Sequence, residues 1–242
     1  MPPYGLGYEV IPVKKLLART FACVAILACL SAPTLLAAKE KPPQNWDGLE
    51  LKKVKGLDLV YVRPNTEFPA YKSVQLEHVA VEFSKNWERD QRSGSSSYHR
   101  PSAEDLQNIR NKVAELMHEV FLKELVDHGY TIVDAPADDT LLVRTAIIDL
   151  YINAPDTNDP GITRSYTTSA GSMTLVLEAR DGPTGQLQAR VIDGRSDSTD
   201  SYMTWTTRAS NTQDAKRIMQ IWAKRLRESL DKLNGKGDGK GG

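Results

Sequence analysis

Cysteine is nearly absent from this 242-residue chain, and its two cysteines, Cys23 and Cys29, both lie before Pro33. Removal of that N-terminal segment would leave no disulfide, no Cys-based zinc site and no thiol nucleophile. Such a domain must be held by its apolar core, and residues 39–242 suffice for one of ordinary size. An excess of one charge is also missing, with 31 Lys and Arg against 31 Asp and Glu. That balance gives no basis for electrostatic capture of nucleic acid. Long hydrophobic runs are lacking too. A spanning helix needs about 20 apolar residues, and Arg19 and Pro33 bracket fewer.

Catalytic signatures are scarce. The 4 histidines, His78, His99, His118 and His128, have no second ligand at helical or short strand spacing. Structural roles are expected for all of them. Ala170-Gly171-Ser172 lacks the G-x-S-x-G frame of a nucleophile elbow, and no Gly-rich phosphate loop is present. Asp197 and Asp200 read as solvated loop carboxylates, and Asp138-Asp139 as turn chemistry. The expectation is a non-enzyme with no catalytic residues, no cofactor and no metal.

What is present begins with Lys14, Lys15 and Arg19, followed by an apolar run from Phe21 to Ala32 and the small residues Ala37 and Ala38. A cationic start, an apolar stretch and a small-residue exit are the parts of a secretory signal peptide. The leader before Lys14 is long for a signal, which fits a start at Val13. Cleavage after Ala38 puts Leu36 at −3, a departure from the A-x-A pattern. The alternative is lipidation at Cys29, preceded by Ile26-Leu27-Ala28. The expected organisation is a signal peptide over 1–38, a polar linker over 39–48, one α+β domain over 49–234 and a flexible Gly/Lys tail over 235–242.

Along the domain, Leu57 to Arg63 and Val74 to Phe83 read as strands. In the second, the apolar phase slips near Glu77-His78, which suggests a bulge. A helix starts after Ser102 as N-cap, with an apolar stripe through Leu106, Ile109, Val113 and Phe121. It stops at Gly129. Thr140 to Ile152 is almost continuously apolar, which predicts a central strand covered on both faces. Two alternating strands follow, joined by a turn at Asp181-Gly182-Pro183-Thr184-Gly185. The last helix runs from about Thr212 to Leu233 after Asn211, with Ile218, Trp222 and Leu226 on its apolar stripe. The predicted fold is a mostly antiparallel mixed sheet of about six strands, with two long amphipathic helices on one face.

Two polar segments place a Trp beside Arg: Trp87 with Arg89 and Arg92, and Trp205 with Arg208. Aromatic anchors beside Arg suit contact surfaces. The competing reading folds the tryptophans back onto the ends of the core.

The runs DLVYVRP (58–64), KNWERDQ (85–91), DTLLVRTAIIDLYINAPD (139–156), SAGSMTLVLEARDGPTGQLQAR (169–190) and IWAKRL (221–226) resemble a bacterial family of exported proteins catalogued as domain of unknown function 3313. The likeness covers roughly residues 46–234. It implies a Gram-negative envelope location and one α+β domain, and some members look like lipoproteins, so Cys29 stays open. It implies no activity. The expectation is therefore a periplasmic, non-catalytic binding or accessory module. Its partner would be an envelope protein or outer-membrane component, with membrane contact only if Cys29 is lipidated. A small periplasmic hydrolase is the alternative.

Overall fold

A computed structural model describes residues 41–66, 68–85, 87, 89, 102–152, 165–167, 171–196, 204–206 and 208–236, with backbone only for 165–167, 204–206 and 208–211. All described elements lie in the unit Pro43–Gly242. They are β1 (Asn45–Trp46), β2 (Leu49–Lys52), β3 (Leu59–Val62), β4 (Ser73–Leu76), β5 (Ala80–Phe83), α1 (Ala103–Asp127), β6 (Thr131–Ile132), β7 (Thr140–Ile152), β8 (Ser165–Thr167), β9 (Gly171–Asp181), β10 (Leu187–Ser196), β11 (Thr204–Thr206) and α2 (Arg208–Leu233). No helix among the described residues is long and apolar enough to cross a membrane.

Helix α1 forms where the sequence places it. Ser102 Oγ accepts from Asp105 N–H at 3.1 Å, and the Asp105 carboxylate accepts from Ser102 N–H at 2.9 Å. This reciprocal box satisfies two donors that the first turn leaves open. Gly129 ends the helix with φ 81, a conformation that costs a glycine little. Helix α2 begins at Arg208, upstream of the expected Asn211 cap.

Nine strands form one mixed sheet in the order β1-β2-β3-β10-β9-β7-β4-β6, with β5 also paired to β7. The α+β class is as predicted, with more strands than the expected six. The pairs from β1 through β7 along this order are antiparallel, whereas β4 and β5 run parallel to β7. The expected strand Val74 to Phe83 is broken outright at its phase slip. Its halves, β4 and β5, lie end to end along the same edge of β7, against Thr140–Val143 and Ala146–Leu150.

The expected linker over 39–48 is corrected at its far end. Asp47 (φ 52) and Gly48 (φ 76) make a two-residue turn between β1 and β2. Positive φ at both positions is what a tight hairpin turn needs, and the Asp-Gly dipeptide was its signal. Trp46 packs edge-on to Tyr61 at 5.6 Å.

Both helices lie on one face of the sheet. Ile109, Met117, Phe121 and Leu125 of α1, and Ile218, Met219, Trp222 and Leu230 of α2, share one apolar cluster with Val143, Ile147, Leu175 and Leu177. A second, smaller cluster of Leu49, Tyr61 and Leu187, with Trp46 against it, is separate. β7 is central, but the expectation of cover on both faces is corrected. Its alternate residues Leu142, Ala146 and Ile148 stay half-buried, and the Arg144 side chain is 54% exposed. A bulge at Asp149 (φ 52) then resets the phase, so that Leu150 is buried. Continuous apolarity here comes from moderate residues on a face that the helices leave uncovered.

The Asp181–Gly185 turn is as read. Asp181 N–H donates to Gln186 O at 2.9 Å, and Gly182 N–H donates to Thr140 O at 2.9 Å. A Cβ on Gly182 would stand 2.6 Å from that backbone oxygen. Gly182→Ala is therefore expected to cost about 1–3 kcal/mol. A thermal midpoint within 1–2 °C of wild type would show that the turn yields freely.

Candidate functional site

Sheet register decides where the Trp-bearing segments go. β5 runs parallel to β7, so both end at the same edge of the sheet. Ile152, the last residue of β7, faces Gly171, the first of β9, and Ser172 faces Ser196 at the end of β10. The chain therefore leaves β5 and β10 at one end, and both helices start after those exits. Two cross-element contacts, Arg227 to Glu124 at 3.2 Å and Tyr130 to Asp231 at 2.8 Å, tie the far ends of the helices together. β8 precedes β9 by three residues and β11 follows β10 by seven, and the two pair antiparallel as a separate ribbon with Trp205 opposite Tyr166.

Within this end the tryptophan expectations separate. Trp87 is 0% exposed. Its Nε1–H donates to Ile152 O at 2.7 Å, and its ring stacks on Phe83 at 4.4 Å. The Arg110 guanidinium lies over Phe83 at 5.0 Å. Trp87 thus caps the core rather than presenting a contact surface. The physical reason is that the last β7 carbonyl and the open end of the apolar layer both need a partner, and an indole supplies both. Arg89 is exposed. Trp205 and Arg208 are placed by backbone, in β11 and at the start of α2. Their side chains, Arg92 and Cys29 lie outside the described residues.

The opposite end holds a polar network that the sequence did not announce, because its members are far apart in the chain. Tyr130 Oη donates to Asp231 at 2.8 Å, and Asn234 Nδ2 donates to Tyr71 O at 2.7 Å. Burial, and then the bond to Asp231, push the Tyr130 phenol up to about 12. Burial and the neighbouring Asp181 also raise Tyr71, whose Oη donates to Asp181 at 3.2 Å. Burial works against ionisation of Asp231. Hydrogen bonds from Arg227 and Tyr130 outweigh it and hold the carboxyl below its usual range. The shifts of Tyr71, Tyr130 and Asp231 all run away from neutral pH, which does not suit them to general acid–base work there.

A third polar group crosses the sheet face opposite the helices. Arg144 faces Glu178, and Glu178 faces Arg190. Glu77 pairs with Arg144 through both carboxylate oxygens. Arg190 is 5% exposed and donates to Glu178 through Nε at 3.0 Å and Nη2 at 2.6 Å. Its guanidinium lies 4.2 Å from the Trp46 ring, and Nη1 stands 2.8 Å from Asp47 as an ion pair without hydrogen-bond geometry. Burial disfavours the Glu178 charge. Hydrogen bonds from Arg190 and Arg180 prevail and lower its pKa. Among the described residues, no group of three or more His, Cys, Asp or Glu is arranged to hold a metal ion.

Residues 43–226 match the model of a family described as "Protein of unknown function (DUF3313)". No curated protein matches the chain. Among solved structures, it is similar to a PelC dodecamer from Paraburkholderia phytofirmans, at 11% identity and a TM-score of 0.33, over 67% of this chain and 91% of that one. A minor lipoprotein from Acinetobacter baumannii is similar at 11% identity and a TM-score of 0.31, over 67% and 94%. A DUF330 protein from Xanthomonas campestris is similar at 12% identity and a TM-score of 0.33, over 74% and 95%.

Proposed function

This chain belongs to the DUF3313 family of proteins of unknown function, and we propose that its exported form is a non-catalytic binding or accessory module of the bacterial cell envelope. The single observation that carries the binding reading is that β5 and β10 exit at one end of the sheet, so that the segments leading to both helices leave the sheet there. Arg89, Arg92, Trp205 and Arg208 belong to the segments that leave and re-enter there. Trp87 supports that end from within. The partner in this reading is an envelope protein or outer-membrane component.

Export rests on the Lys14/Lys15/Arg19 start and the run from Phe21 to Ala32. Protein recovered from periplasm should begin near Lys39 by N-terminal sequencing. A diacylglyceryl mass on Cys29 would instead give the lipid-anchored form. A full-length cytoplasmic product would sink the export reading.

The contact end is tested by Arg89→Ala together with Arg208→Ala. Exposed ion pairs add only about 0–1 kcal/mol, so the thermal midpoint should stay near that of wild type. Cross-linked partner recovery from envelope fractions should fall. Recovery of the same proteins in the same amounts would rule this end out. The hydrolase alternative gains nothing from Tyr71, Tyr130 or Glu178, since their shifts carry them away from neutral titration.

A further inference from the structure

Asparagine precedes glycine once in this sequence, at Asn234-Gly235, and that dipeptide closes α2. Asn234 N–H donates to Leu230 O at 2.9 Å, Gly235 N–H to Lys232 O at 3.2 Å, and Lys236 N–H to Asp231 O at 2.8 Å. Gly235 takes φ 65, the left-handed conformation common at such a helix end. The Asn234 Nδ2 donates to Tyr71 O at 2.7 Å and to Tyr130 Oη at 3.3 Å. Both partners can only accept there, since the Tyr130 hydroxyl hydrogen goes to Asp231. Oδ1 is buried and has no hydrogen-bond partner among the described residues. The site therefore specifies an amide, because two acceptors require its NH2 group. Tyr71 is buried and leads into β4, so this side chain ties the end of α2 to the sheet.

We propose that Asn234 is a deamidation site, gated by the last turn of α2, and that its conversion releases this tie. The reaction needs water alone. The Gly235 nitrogen gives up its proton and attacks Asn234 Cγ. A C–N bond forms, the Cγ–Nδ2 bond breaks, and Nδ2 leaves as ammonia with a proton in place of the one Gly235 lost. Water then opens the cyclic imide at either carbonyl, which gives aspartate or isoaspartate. Glycine suits this ring closure because it has no Cβ to crowd it. In the closed turn the nitrogen is engaged, since its N–H is held by Lys232 O. The turn is itself the gate. Lys232, Leu233, Gly235 and Lys236 are exposed, and exposed helix ends open at low cost.

Conversion works against closing the turn again. Aspartate puts a carboxylate oxygen where the NH2 group stood, facing two acceptors, with the Asp231 carboxylate on the far side of Tyr130 Oη. Acceptors left without a donor in a buried site cost free energy. Isoaspartate also lengthens the backbone by one carbon inside the turn. This site lies at the opposite end of the sheet from the contact end, and the inference is independent of the binding reading.

The test is peptide mapping of the exported protein during incubation at mildly alkaline pH, scored for aspartate and isoaspartate at position 234. The same protein unfolded in urea is the reference. Folded protein is expected to convert at this position, at least tenfold more slowly than unfolded protein. That slowing should match the protection of the Gly235 amide in hydrogen exchange, because one opening exposes both. Asn234→Asp is expected to fold, with a thermal midpoint several degrees lower and at least tenfold faster exchange at the end of α2. Equal rates in folded and unfolded protein overturn the gate, as does a slowing unrelated to Gly235 exchange. A folded protein that stays unconverted while the urea sample converts fully overturns the site. Wild-type midpoint and exchange in Asn234→Asp overturn the tie.

Discussion

Trp222→Ala should be the most damaging single substitution in the described core. Trp222 is 2% exposed and sits at the middle of α2, over the sheet. Its Nε1–H donates at 2.7 Å to Asp193, itself 2% exposed on β10. Asp193 also accepts from Arg195 Nε at 2.7 Å and from Asp58 N–H at 3.0 Å. Removing the indole opens a cavity, for about 3–5 kcal/mol, and takes one donor from a buried carboxylate, for about 1–3 kcal/mol more. At about 2–4 °C per kcal/mol for a domain of this size, the thermal midpoint should fall by about 10 °C or more. Trp222→Phe keeps most of the volume and loses only the donor, so it should cost about 1–3 kcal/mol. An equal loss in both variants would mean that the bond to Asp193, rather than packing, fixes α2. A negligible loss for Trp222→Ala would show that α2 does not rest on the sheet.

Arg190→Met is the second large effect expected. The guanidinium is buried between Trp46 and Glu178. Breaking a buried pair from one side typically costs 3–5 kcal/mol, because the remaining charge is stranded. Arg180 still reaches Glu178 at 2.7 Å, so the low end, about 3 kcal/mol, is expected. Arg190→Met with Glu178→Met should recover part of that loss, since no carboxylate is then left behind. A double variant worse than the single one would show that the ladder holds the face by more than this pair. The same site gives a pH signature. Glu178 is held below its ordinary value when folded. Its contribution is therefore fully present above the unfolded value, about 4.3, and is lost as pH falls through the folded one. The stability gap between wild type and Glu178→Gln should be widest near neutrality and close in acid. A gap that is flat with pH would remove the charge from the account.

Local rules read well wherever the signal sits within a few residues. Ser102 and Asp105 make a capping box, Gly129 stops α1, and Asp181–Gly185 turns the chain, each by contacts inside its own segment. The Asp47-Gly48 turn is equally local, but the polar, Pro-rich run through Pro42, Pro43 and Gln44 just before it reads as linker. The phase slip at Glu77-His78 was visible, but its outcome was not. A bulge and a complete break leave the same pattern, and only the pairing of both halves with β7 distinguishes them. For Trp87 the sequence left two readings open, a contact surface or a cap on the core, and the structure decides for the cap. Its neighbours Lys85 and Arg89 are polar and exposed, while the groups that bury it, Phe83 and Ile152 O, include one 65 positions away.

The sequence by itself determined the α+β class, the two apolar helix stripes and the family, because each depends on residue type at short spacing. Tertiary structure alone decided which face of the sheet the helices cover and which strands end together. It also decided which charges meet. Glu178 and Arg190 are 12 positions apart, Trp222 and Asp193 are 29 apart, and Tyr130 and Asp231 are 101 apart. Those pairs exist only because strand register and helix packing bring them within hydrogen-bond distance, and no local pattern in a chain encodes register across a sheet of nine strands.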